Sequence, residues 1–279
     1  MTLDARRLMT LAIPARNPAW SGRETMLYAL AVGLGAAEDD LPFVFEDGLR
    51  VVPSMATALA FDDSWLDAGG IDLRRVVHGA LDLDFAAPLP ASGEAAVASR
   101  IVGLGDKGAG RGGLVFQESV VSLGGAPAST VRSTIFVRGA GGFGGGAGTQ
   151  FETAPLPARA PDEVAEVATA ANQALLFRLL GDRNPLHADP AVARAAGFAR
   201  PILHGACTFG IACAEVLRRF CGRDPARLAR FAARFAGPLH PGETLRFDFW
   251  RDGPRLGFRA AAAGRNAPVL DNGFAVLVP

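Results

Sequence analysis

Within Gly181-Asp182-Arg183-Asn184-Pro185-Leu186-His187 a carboxylate and an imidazole stand five residues apart, with Asn-Pro between them. A carboxylate and an imidazole that reach one water can orient it, deprotonate it and return a proton elsewhere. Eighteen residues beyond His187 comes Gly205, in Pro201-Ile202-Leu203-His204-Gly205, where a long apolar helix is expected to begin. The first turn of a helix carries N–H groups without intrahelical partners, at the positive end of the dipole. Glycine there lets a ligand come close to the main chain, and an N–H aimed at a developing oxyanion is worth ~3–4 kcal/mol. Acid, base and oxyanion donor together suit the addition or removal of water across a double bond conjugated to a thioester. Each part also has a plainer use. Asp182 and Asn184 are common helix-capping types, and Gly205 permits close packing of a helix on a sheet.

The elements around these residues must hold them. Pro185 fixes its own φ and disfavours the α region at Asn184, so a helix ending near Leu180 cannot run through. Gly181 supplies the permissive exit. The expected helices of this half are Ala168 to Leu180, Asp189 to Ala196 and Ile202 to Phe220, the last with apolar residues at three- and four-residue steps. Strands are expected at Leu228–Phe235, Thr244–Trp250, Gly257–Ala262 and Phe274–Val278. Earlier in the chain, Arg23 to Leu34 is helical, and Val76-Val77, Leu81–Phe85, Val97–Leu104, Leu114–Leu123 and Ser129–Arg138 read as strands. A long helix followed by antiparallel strands indicates the α+β class. No long central helix is expected in the first half, because Asp62 to Arg75 is too polar and too broken by glycine.

The chain of 279 residues is 49% hydrophobic and 20% charged, enough for a substantial core. Lys+Arg and Asp+Glu both number 28, which argues against nucleic-acid binding and electrostatic membrane attachment. Lys107 is the only lysine. Cys207, Cys213 and Cys221 form neither a disulfide framework nor a metal-ligand pattern and read as small buried residues in a reducing compartment. The first ten residues do not resemble a signal peptide, the last three are not a peroxisomal signal, and no apolar run approaches ~20 residues. A cytoplasmic location is the expectation. The Gly-rich run Gly139 to Gly148 suggests a boundary, giving domains at 1–148 and 149–279. The halves share a phrase: Phe85-Ala86-Ala87-Pro88-Leu89-Pro90 leads to Gly93-Glu94, and Phe235-Ala236-Gly237-Pro238-Leu239-His240 leads to Gly242-Glu243. Duplication explains it, and so does ordinary turn chemistry.

Gly181-Asp182-x-Asn184-Pro185-Leu186-His187, Asp189-Pro190, Ala196-Gly197-Phe198 and Pro201-Ile202-Leu203-His204-Gly205 form a long ordered signature. With it the sequence resembles the (R)-specific 2-enoyl-CoA hydratases, the MaoC-like or hydratase 2 family, in its two-part form. The resemblance implies two tandem hot-dog folds, each an antiparallel sheet wrapped round a helix, with the first half a degenerate copy that binds acyl chain and CoA. It implies Asp182 and His187 as the catalytic pair, Asn184 as the loop asparagine and Gly205 as the oxyanion glycine. It makes His78, Gly79, Lys107 and Phe235 substrate-binding candidates, although each also reads as ordinary core or surface. It implies reversible hydration of a trans-2-enoyl-CoA to the (3R)-3-hydroxyacyl-CoA, no metal or other cofactor, CoA only as part of the substrate, and a homodimer. A hot-dog thioesterase, a non-catalytic acyl-CoA binder and a hydratase of a specialised non-fatty enoyl-CoA are the alternatives. His204 is expected to pack or bond to loop backbone and His240 to be exposed. Arg218, Arg219, Arg223, Arg227, Arg230 and Arg234 are expected on a solvated face, with one or two of them candidates for CoA phosphates.

Overall fold

A computed structural model describes residues 2–148 and 155–279. Among the described residues there are twelve strands: β1 Ala19–Trp20, β2 Val76–Phe85, β3 Gly93–Glu94, β4 Ala96–Asp106, β5 Gly112–Leu123, β6 Ala126–Arg138, β7 Ala147–Gly148, β8 Glu163–Ala168, β9 Leu228–Phe235, β10 Thr244–Asp252, β11 Arg255–Ala262 and β12 Ala267–Leu277. Ten of them build one sheet in the order β7-β4-β5-β6-β2-β9-β12-β11-β10-β8. The order is nearly palindromic. β2, β4, β5 and β6 on one side correspond to β9, β10, β11 and β12 on the other. The two sides meet where β2 pairs antiparallel with β9, Leu81 opposite Ala233. The repeated Phe85 and Phe235 end those two strands. The proposed boundary between 148 and 149 falls at the edge of the described residues.

The second side wraps the helix Gly205–Phe220, which is buried from Cys207 through Leu217. Against it packs the helix Gly22–Ala31, started by a Ser21–Glu24 capping box. Gly210 permits the crossing, since a Cβ there would lie 2.5 Å from Val32 and 2.9 Å from the Tyr28 hydroxyl. On the first side no long helix fills the concave face among the described residues, as expected. The short helix Ala56–Ala60 packs over β4, β5 and β6 instead, and the turn before it, Pro53–Met55, packs against Gly205–Phe220.

Three expectations need correction. The segment 168–180 is not one helix: β8 runs to Ala168, and helix begins only at Gln173, passing into a tight turn at Arg178–Leu180. Thr169 ends β8 by bonding the Glu243 carbonyl through its hydroxyl, and the Gln173 side chain accepts from Ala170 N–H. The last strand starts at Ala267, seven residues earlier than expected, with Asn272 at φ 51 in an irregular stretch between Asp271 and Phe274. The arginines around the helix end are a solvated face only in part: Arg219 and Arg234 are exposed, the others half-buried. Arg218 bonds both carboxyl oxygens of Asp40 (3.1 and 2.7 Å) and the Gly33 carbonyl (2.9 Å), crossing from one half to the other. Asp40 is fully buried. Burial opposes its ionisation, and the Arg218 guanidinium outweighs that, holding the carboxyl below its usual range. Arg219 pairs with Glu163 and Glu215, Arg223 with Asp39, Arg230 with Asp82, and Arg234 with Asp271. Among the described residues no helix is long and apolar enough to cross a membrane.

Candidate active site

A cavity of about 430 Å³ opens between the two sides. Its lining takes Asp182, Asn184 and His187 from the 181–187 loop, Gly205 from the helix start, and His78 and Phe235 from the paired strands β2 and β9. The loop gets its shape from local chemistry. Gly181 stands at φ 130, a conformation open to glycine. The Asp182 carboxylate accepts from Asn184 N–H at 3.1 Å, and the Asn184 amide oxygen accepts from Leu186 N–H at 3.0 Å. Pro185–His187 then closes as a single tight turn. Asn184 thus fixes the turn that carries both flanking side chains.

His187 is buried, and its Nδ1 lies 2.9 Å from the Ile202 carbonyl oxygen. A carbonyl only accepts, so Nδ1 carries the proton and Nε2 holds a free lone pair. Burial pushes the His187 pKa below its ordinary value, which keeps the ring neutral near pH 7. His204, also buried, donates from Nε2 to the Asp182 carbonyl at 3.2 Å and stacks on His187 with ring centres 3.7 Å apart. Burial, and next the His187 charge, push its pKa down to about 3. The expectation that His204 serves loop backbone agrees with this contact.

Asp182, His187 and His204 bring ligand-capable atoms within 4.8 Å of one another. The donor set does not suit an ion. The two imidazoles lie face to face at 26°, so their in-plane lone pairs run side by side and do not converge on one tetrahedral centre. One nitrogen of each ring is already given to a carbonyl.

Gly205 is the first residue of its helix, and its N–H has no intrahelical acceptor. A Cβ at this position would sit 3.3 Å from the Phe235 ring. Phe235 in turn stacks on His78 at 5.8 Å, and burial lowers the His78 pKa. Gly79 lies apart from the cavity: it occupies an irregular step in the β2–β6 ladder, where a Cβ would meet the Thr134 carbonyl at 3.1 Å. Lys107 is exposed in the β4–β5 turn and does not line the cavity. Arg138 does. The structure corrects the expectation for His240, which is half-buried, its Nδ1 3.1 Å from the Pro201 carbonyl. Sequence reasoning passed over Asp63, a cavity-lining carboxyl pushed upward by burial and by the Asp182 charge. It also passed over Gln117 and Ser133. Their only signal in sequence is a polar side chain at an inward position of a strand.

Residues 152–269 match the family model described as the MaoC like domain, and residues 19–139 match the MFE-2 hydratase 2 N-terminal domain. The chain is 36% identical to the enoyl-CoA hydratase ChsH3 of Mycobacterium tuberculosis, covering 100% of both chains. Its structure is similar to that of a MaoC-like dehydratase from Phytophthora capsici, with a TM-score of 0.89 and 26% identity over 99% of this chain and 98% of that one. A more distant likeness, TM-score 0.56 at 16% identity over 95% of this chain and 96% of the other, is to a Mycobacterium tuberculosis protein described as having a double hotdog fold.

Proposed function

This chain belongs to the MaoC-like, hydratase 2 family of hydro-lyases, and from that premise we propose that it hydrates trans-2-enoyl-CoA thioesters reversibly to (3R)-3-hydroxyacyl-CoA. The observation that carries this reading is the convergence of Asp182 and the unprotonated Nε2 edge of His187 on one cavity, beside the free N–H of Gly205. A water held between Asp182 and His187 adds its oxygen to C3. One of the pair takes the water proton, and a proton is delivered to C2 on the same face. The enolate oxygen that forms in between is held by Gly205 N–H. Asn184 keeps the turn in register, and His204 positions the pair by bonding the Asp182 carbonyl and backing the His187 ring. Residues 149–279 supply these groups. Residues 1–148 supply much of the wall that receives the acyl chain. His78 and Phe235 border the thioester end. Lys107 and Arg138 offer cations for the CoA phosphates, and Gly79 shapes β2 behind His78. No metal takes part in this scheme.

Purified protein is expected to convert crotonyl-CoA and longer trans-2-enoyl-CoAs to the 3-hydroxy products, with chiral analysis giving the R form. Asp182→Ala and His187→Ala, each folded by circular dichroism, are expected to lose hydration by roughly 10²–10⁴-fold. Retained activity in either variant ends this assignment, and release of free CoA without a hydroxyacyl product replaces it with thioester hydrolysis.

A further inference from the structure

β5 and β6 turn alternate residues toward the cavity. Val131 and Ile135 line the cavity from that face, and Val115, Val121 and Val137 are buried farther along the same rows. Gln117 and Ser133 interrupt these rows. They are direct partners across the β5–β6 ladder and both line the cavity, so their side chains stand together on its wall. Gln117 is only 6% exposed. Among the described residues its amide has no hydrogen-bond partner, nor does the Ser133 hydroxyl, and neither is sealed away from the cavity. Ser119, two residues along the same face, keeps its hydroxyl on Ser99 at 2.7 Å. The indole N–H of Trp65, another lining residue, is buried without a partner among the described residues.

A wall shaped for an alkyl chain alone has no use for these groups. A hydrocarbon tail that displaced water from the Gln117 amide would leave donor and acceptor unpaired, and such groups oppose burial. A site built to bond a substrate oxygen therefore discriminates against the analogue that lacks it. The sign of the local charge narrows the match. Among the described residues Asp63 and Asp182 line the cavity, with Asp62 paired to Arg16 at 3.5 Å, against the guanidinium of Arg138. An anionic tail would meet that field unfavourably. A neutral hydroxyl or ketone would not, and the Gln117 amide offers it both a donor and an acceptor.

Resting on the hydratase reading above, we propose that Gln117 and Ser133 form a polar subsite in the acyl wall, which selects enoyl-CoA substrates carrying a neutral hydroxyl or keto group remote from the thioester. The register places that group. Ser133 is the partner of Leu81 on β2, and Gln117 lies one strand further. Two strand spacings set Gln117 roughly 10 Å from β2, the strand that bears His78 at the thioester end.

The test compares trans-2-decenoyl-CoA with the same chain bearing a hydroxyl or an oxo group at roughly C7 to C10, the reach set by those strand spacings. For wild type, kcat/KM is expected to be about tenfold or more higher for the best oxygenated member, and the carboxylate-tailed chain is expected to be the poorest. Gln117→Leu is expected to bring the oxygenated-to-plain ratio toward one, and Ser133→Ala to lower it in part. A wild-type preference for the plain chain across the panel, or an unchanged ratio in Gln117→Leu, overturns the subsite. If no member is hydrated, the reaction reading fails separately. Binding of the matching saturated acyl-CoAs, oxygenated against plain, then decides the subsite on its own. If Gln117→Leu does not fold, Ser133→Ala and the wild-type ratio carry the test.

Discussion

The two halves of the sheet are near copies in strand order, yet the segment that precedes the central strand differs completely between them. Before β9 the chain makes the 181–187 turn and then the sixteen-residue helix Gly205–Phe220. Before β2 it makes Glu38–Val44, Pro53–Ala60 and Trp65–Ala68, all short. The long helix brings a free N–H tip to the cavity and fills its own side of the sheet. The short turns leave the opposite side with room. On the proposed reading one side offers reacting groups and the other offers space, with the cavity lined from both.

The sharpest way to break that contrast is to exchange one polar side chain for alanine in each pre-strand segment. His187→Ala is expected to abolish hydration, a drop of roughly 10²–10⁴-fold, whereas Asp47→Ala, an exposed position of the other segment, is expected to leave kcat/KM within about twofold. Comparable losses in both would mean that the halves share the chemistry. Next in size is the tie between them. Removing one partner of a buried ion pair costs about 3–5 kcal/mol, so Arg218→Leu should lower the unfolding midpoint in denaturant, because it leaves the buried Asp40 with only Arg223 at 3.7 Å and the Gly35 and Ala37 N–H groups. An unchanged midpoint would show that the Arg218–Asp40 pair adds little to the β2–β9 ladder and the helix packing that also join the halves.

Smaller effects refine the site. Gly205→Ala would put a methyl 3.3 Å from the Phe235 ring and crowd the approach to the N–H, for an expected fall in kcat of about tenfold, measured with folded protein. The buried histidines set a pH signature. His78, His187 and His204 all have folded-state pKa values below the ordinary 6.5. The unfolded chain therefore binds more protons as pH falls below 6.5. Stability should be full above that pH and decline beneath it, each group adding a slope of at most ~1.4 kcal/mol per pH unit. For His204 the window runs from 6.5 down to about 3. Denaturant titrations at pH 7.5, 6 and 5 would show it, and a midpoint that rises on acidification would contradict it. Least of all, Lys107→Ala should raise KM by no more than a few-fold, since Lys107 is exposed and off the cavity lining. A few-fold rise is the size an exposed pairing with a CoA phosphate allows, and an unchanged KM would remove Lys107 from that role.

Much of this architecture is legible in the residues. Period-two alternation locates β4, β5, β6 and β9 to within a few residues, and the Ile202–Phe220 periodicity finds the central helix. The loop chemistry of Gly181, Asn184 and Pro185 is local, so the turn is legible there, while the pairing of Asp182 with His187 also needs the Pro201–Gly205 segment and the family resemblance. What escapes is whatever depends on long-range pairing. Glu163–Ala168 is short and alanine-rich and becomes a strand only because β10 offers it an edge. Arg218 and Asp40 are 178 residues apart, and nothing near either one announces the other. Gln117 looks like any polar residue in a strand until the register turns it inward.

The shared water is best tested by a double-substitution cycle in kcat/KM on trans-2-enoyl-CoA with Asp182→Ala, His187→Ala and the pair together. If the two groups act on one water, the double variant should be scarcely slower than the worse single variant, because either loss already disables the unit. Losses that multiply across the cycle would mean that Asp182 and His187 act independently, and the single-water arrangement would be wrong.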